Sequence, residues 1–165
     1  EVESPLTEEQ LEDIASEIRA LKSTKFERTF IGYRLSDQTV DMYWATTHFN
    51  PSLKVNIAGM TVDQQQQVGN MPIPEDWDLI GTWLDLTPYV GSEIFIYVKD
   101  GKTYMRNTYS DGSIRDREVV ESASSRGRRF DDVSESDFDD HCIIDSKGNL
   151  QFWDEDGLIS IANQQ

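Results

Sequence analysis

Four glycine turns constrain this chain more than anything else in it. Asp100-Gly101, Asp111-Gly112, Asp156-Gly157 and Lys147-Gly148-Asn149 each separate two short runs of sheet-forming residues. Glycine takes a positive φ without a Cβ clash, so Asp-Gly between such runs is a strong hairpin signal. The runs fall at 79–86, 93–98, 103–109, 114–121, 142–144, 150–153 and 158–161. Residues 79–162 therefore read as an antiparallel meander. Aromatic residues make up 10% of the chain, enough large rings to argue for a packed core.

The first part of the chain opens on a helix over 6–22. Thr7 and Gln10 have capping-box spacing, and Leu6 and Leu11 have the spacing of a hydrophobic staple. Leu11, Ile14, Ile18 and Leu21 make one apolar stripe at helical period. Strands follow at 26–35, 40–49 and 53–57, with Ser36-Asp37-Gln38 and Asn50-Pro51-Ser52 as the breaks. Thr61 and Gln64 repeat the capping-box spacing and predict a short helix through Val68. Gly69, Asn70, Pro72 and Pro74 mark a connector at 69–78, dividing residues 1–70 from residues 71–165.

The stretch Leu79-Ile80-Gly81-Thr82-Trp83 resembles the G-x-W of the first strand in lipocalin-like proteins, the calycin barrels. The resemblance covers residues 77–161. It implies a cupped sheet that binds a small apolar ligand, with Trp83 near that ligand. Six strands are countable after the motif, whereas a closed barrel of this kind uses eight. Read from the residues alone, Gly81 and Trp83 are a bulged strand and a core tryptophan.

Charge and cysteine content remove several function classes. The 31 acids exceed the 15 bases for a net charge of -16, and both halves share the excess. Neither half offers a basic platform for a phosphate backbone, so direct nucleic-acid binding is not expected. A basic protein partner would be steered toward the chain. Cys142 is the single cysteine, which excludes an internal disulfide and a multi-cysteine zinc site. No apolar run reaches the length of a membrane span, so no membrane insertion is expected. The sequence begins at Glu1 without Met. That fits a bacterial periplasmic or secreted protein slightly better than a cytoplasmic one.

Catalytic motifs are few. In a strand over 40–49, Val40, Met42, Trp44, Thr46 and His48 share one face, and Asp41, Tyr43, Ala45, Thr47 and Phe49 share the other. Tyr43, Trp44, Thr46 and His48, with Trp83, are the candidate ligand-binding residues. His48 would serve as a general base if a carboxylate oriented it, and His141 is the other candidate. Asp139-Asp140-His141-Cys142 has metal-binding residue types, but neighbours on a strand alternate in direction and no metal is implied. The acids Asp131, Asp132, Glu135, Asp137, Asp139 and Asp140 lack the glycine of a calcium loop. With Arg126, Arg128 and Arg129 upstream, they read as a charged loop. Cys142 reads as a small buried hydrophobe. No nucleotide fingerprint occurs and no cofactor is implied.

These readings converge on an α+β protein. It is mainly an antiparallel β meander or partly closed barrel, with the N-terminal helix packed on the sheet. The function expected is a non-catalytic module that binds a small apolar ligand or another protein. The alternatives are a small hydrolase using His48 or His141 with carboxylates, and an acidic inhibitor or immunity-type protein for a basic partner.

Overall fold

The computed structural model describes residues 1–22, 26–36, 38, 40–134 and 140–165. Asp37, Glu135, Asp137 and Asp139, singled out above, lie outside the described residues. Helix α1 spans Glu8–Ala20. Its capping box is complete: Thr7 accepts from the Gln10 N–H, and the Gln10 side chain accepts from the Thr7 N–H. Leu11 and Ala15 are buried, whereas Leu21 caps the helix and stands exposed. Strands β1 (Thr29–Tyr33), β2 (Ala45–Phe49) and β3 (Leu53–Ile57) form a three-stranded antiparallel sheet in that order. Helix α1 packs on this sheet, joining Leu11 to Tyr33, Leu35, Trp44 and Ala45 in one core. Helix α2 (Val62–Gly69) carries the second complete box, Thr61 with Gln64.

The rest of the chain forms β4 (Asp78–Asp85), β5 (Ser92–Lys99), β6 (Lys102–Tyr109) and β7 (Ile114–Ser124), then β8 (Gly127–Asp132), β9 (His141–Ile144), β10 (Leu150–Asp154) and β11 (Gly157–Gln164). Each pairs antiparallel with the next, and β11 returns to β4. Eight strands therefore close a barrel, where the sequence predicts six after the G-x-W strand. The one not foreseen is β8. Its sequence GRRFDD holds a single large hydrophobe, Phe130, and reads as loop. Its charges are cross-strand and same-strand pairs: Arg128 grips Glu121 with two bonds of 2.6 and 2.9 Å, and Arg129 reaches Asp131 at 2.6 Å. The turn glycines take the expected positive φ, with Gly101 at 75° and Gly112 at 81°.

A second correction concerns β2. The regular strand starts at Ala45, not at residue 40, and residues 41–44 bend. Helix α1 packs on sheet as expected, and the sheet it covers is the three-stranded one.

The connector after α2 is pinned to the barrel wall. Trp77 stacks on Tyr97 with centroids 3.7 Å apart, Arg106 lies over Trp77 at 4.4 Å, and Lys99 pairs with Asp76 at 2.6 Å. The loop between β4 and β5 is tied to the first unit. Leu86 packs against the N-terminal core, and the Tyr89 N–H donates to the Ala58 carbonyl at 2.8 Å.

Inside the barrel, Trp83, Ile94, Ile96, Met105, Val119, Phe130, Cys142, Leu150 and Ala162 form one apolar cluster. Trp83 anchors it by donating Nε1–H to the Gly148 carbonyl at 2.6 Å. Gly81 makes room for the indole: a Cβ there would stand 2.5 Å from the ring. The register shifts between Leu79 and Gly81, the bulge that a strand glycine permits. Replacing Gly81 by Val should therefore lower stability by about 2 kcal/mol through overpacking. A shift of the urea midpoint at unchanged slope checks it.

On the outer face of β5, Glu93 is buried beside α2, where a Cβ at Gly69 would sit 3.9 Å from its Oε1. Its Oε2 has no hydrogen-bond partner. Burial raises its pKa from 4.5 to about 7. The folded chain therefore holds this proton at pH values where the unfolded chain has released it. Stability contributed by the neutral acid is complete below pH 4.5 and lost as pH rises through about 7. Glu93→Gln should add about 1 kcal/mol of stability at pH 8 and almost none at pH 4, as unfolding curves at the two pH values would read.

Candidate functional site

Strand alternation divides the barrel interior into two zones. Register pairs Trp83 with Ile94, Ile94 with Asn107 and Ile96 with Met105. Met105 in turn faces Arg117 on β7, while Asp85 pairs with Ser92. These partners share the inward face, so the interior runs from the apolar cluster to a polar zone where β4, β6, β8 and β10 end. A cavity of about 280 Å³ occupies that zone. Its apolar wall includes Val90, Met105, Val119, Phe130, Phe152, Trp153 and Ile159. Its polar groups include Asp85, Ser92, Asn107, Tyr109, Arg117, Asp132 and Ser160.

The polar groups are wired to one another unevenly. Asn107 Nδ2–H donates to Ser92 Oγ at 2.9 Å. Arg117 donates through one terminal nitrogen to Asn107 Oδ1 at 3.1 Å and lies 3.0 Å from Met105 Sδ. Its Nε is buried without a partner. Among the described residues, no carboxylate stands within salt-bridge distance of Arg117. Asp85 Oδ1 accepts from the Thr87 N–H at 2.9 Å and the Thr87 hydroxyl at 2.6 Å. Burial nevertheless holds the Asp85 pKa above the ordinary carboxylate value. Asp132 Oδ1 accepts from the N–H and hydroxyl of Ser134 at 2.8 and 2.6 Å, and those bonds with nearby Arg117 lower its pKa. Cys142 lines the cavity wall, and burial pushes its thiol up to about 12. It is a protonated apolar wall element at neutral pH.

The sequence-derived candidates fall in three places. Trp44 is fully buried in the N-terminal core against Leu11, Tyr33, Leu35 and Ala45. Tyr43 and His48 gather on the outer face of the three-stranded sheet, each edge-on to Phe30 at 6.0 and 6.4 Å. Thr46 pairs with Gly32 on that same face, and Arg34 lies over the Tyr43 ring. Trp83 packs in the barrel's apolar cluster, outside the cavity lining. His141, at the start of β9, is the one catalytic candidate that lines the cavity. The two histidines thus belong to different sheets. Among the described residues, no group of three or more His, Cys, Asp or Glu is arranged to hold a metal. No helix of the described chain is long and apolar enough to cross a membrane.

Sequence reading missed Arg117, Asn107 and Ser92. Arg117 sits in Arg115-Asp116-Arg117-Glu118, which looks like a solvated charged edge. The available signal was the period of two: Arg115, Arg117 and Val119 share one face of β7, and Asp116 and Glu118 share the other.

The closed eight-stranded antiparallel barrel preceded by a helix is consistent with a calycin-like fold. Comparison with family models, curated proteins and solved structures finds no match to this chain.

A half-buried guanidinium with a buried, unpaired Nε and no ion-pair partner among the described residues is costly to keep. Arg117→Met should leave stability unchanged or raise it by about 1 kcal/mol. Chemical denaturation checks this, and a loss of several kcal/mol would instead make Arg117 a structural strut.

Proposed function

We propose that the barrel is a non-catalytic module that binds one small organic molecule with an apolar body, in the manner of lipocalin-like proteins. The observation that carries this is the 280 Å³ cavity walled by aromatic and aliphatic side chains with a few convergent polar groups. At about 30 Å³ per water, it holds the volume of roughly nine waters. That suits a ligand on the order of a dozen non-hydrogen atoms. The 2.6 Å bond from Trp83 Nε1 and the apolar cluster fill the other end, which supports a single, one-ended site.

A second reading rests on the aromatic face of the three-stranded sheet. Phe30 is 60% exposed and Tyr43 45%, a contiguous surface suited to a protein partner. N-phenyl-1-naphthylamine, an uncharged fluorophore that brightens in apolar surroundings, separates the two. The expected result is saturable one-to-one enhancement that Ser160→Phe weakens by about tenfold or more and Phe30→Ser leaves intact. Enhancement lost in Phe30→Ser and kept in Ser160→Phe would move the site to the outer sheet. No saturable enhancement in the parent protein would remove the barrel reading for apolar bodies of this size.

A further inference from the structure

Arg117 differs from the six described bases that form ion pairs. Arg34, Lys99, Lys102, Arg106, Arg128 and Arg129 each meet a carboxylate. Arg117 lines the cavity with hydrogen-bond contacts to the neutral Met105 and Asn107, one orphaned N–H, and, among the described residues, no carboxylate within ion-pair distance; Asp132 is the nearby acid whose pKa it lowers. A half-buried guanidinium whose Nε is buried unpaired, with no ion-pair partner among the described residues, is a cost that folding alone does not explain. A guanidinium presents its donors in a planar fork that matches a carboxylate.

The cavity's own acids do not fill that role. Asp132 and Asp85 each direct an oxygen to a neighbouring Ser or Thr, and neither reaches Arg117. Asp140 is exposed where β9 begins. The neutral hydrogen-bonding groups Ser92 and Asn107 lie along the same inward ladder as Arg117, so an acidic head placed there also meets neutral polar partners.

We infer that the barrel's ligand is an organic monoanion, a carboxylate on a compact apolar body, whose acidic head pairs with Arg117 while the body lies against Phe130, Phe152 and Val119. This deepens the binding reading above and rests on it. It assigns Arg117 as the specificity-determining residue of the cavity. The excess of outer carboxylates slows approach of any anion, so selectivity here comes from the buried pair and not from steering.

The test titrates the whole protein with three ligands of one shape: naphthalene-2-carboxylate, naphthalene-2-carboxamide and 2-naphthylmethylammonium. Calorimetry at neutral pH and physiological ionic strength reads each affinity. The expected result is a carboxylate bound about tenfold more tightly than the amide, with the ammonium weakest. In Arg117→Met that preference should shrink to about twofold or less, with the amide's own affinity little changed. Arg117→Lys, which keeps the charge and loses the fork, should retain part of it. Equal affinities for carboxylate and amide, or tightest binding of the ammonium, would overturn the anion assignment and leave the cavity as a neutral or cationic site. A parallel loss for carboxylate and amide in Arg117→Met would mark Arg117 as a wall element only. If none of the three saturates the parent protein, the binding reading falls together with the inference. The three affinities of the parent protein decide the matter even if Arg117→Met fails to fold.

Discussion

The seam between β11 and β4 makes this molecule a container. Asn163 faces Leu84 and Gln164 faces Trp83, and the Gln165 N–H extends the contact to the Thr82 carbonyl at 2.9 Å. Without that short pairing, β4 and β11 would be open edges and the meander would be a curved sheet with one wet face. With it, every second residue of eight strands points into an enclosed space. The seam is also where the plug sits. Trp83 lies on β4 at the closing register, and its indole nitrogen is tied across to the turn before β10. Closure and core packing are thus one event, which is why the glycine two residues before the indole tolerates no side chain.

Enclosure then sorts the interior by polarity. The inward ladder through Trp83, Ile94, Ile96, Met105, Val119 and Phe130 fills one end with apolar volume. Toward the other end the same face turns to Asp85, Ser92, Asn107 and Arg117. Polar side chains that point inward keep that end from collapsing into a packed core, because each requires a partner or a solvated space. Helix α1 and its sheet do not line this space. They hold the loop between β4 and β5 through Leu86 and Tyr89, and Val90 of that loop is part of the cavity wall. The N-terminal unit thereby fixes one rim of the site.

Much of this architecture is legible in the sequence, and the reasons are local. Both capping boxes close as Thr7–Gln10 and Thr61–Gln64 predict, because an N-terminus needs only residues three apart to be satisfied. The Asp-Gly and Lys-Gly turns fall where positive φ demands them. What escaped was set by distant partners. Strand β8 looks like a charged loop because its stability comes from Arg128 gripping Glu121 on β7, and from Phe130 facing Cys142 on β9. Trp44 looks like a pocket residue by alternation, but the chain bends before Ala45 and turns it into the N-terminal core. His48 stays on the outer sheet, paired in register with Phe30 and Lys54. Arg117 was hidden by composition: in a chain of net charge -16, one arginine among acids reads as surface.

That last point carries the electrostatic logic of the molecule. Pairs on the barrel wall, such as Arg106 with Asp116 and Lys102 with Glu118, are at least partly exposed and contribute little to stability individually. They leave the outside strongly acidic. Arg117 is half-buried at the cavity, where the effective dielectric is lower than in water. An acidic exterior discourages polyanions from the surface, while among the described residues Arg117 stands in the cavity without an ion-pair partner. The separation follows from β7 alone, whose alternate residues send Arg117 inward and Asp116 and Glu118 outward.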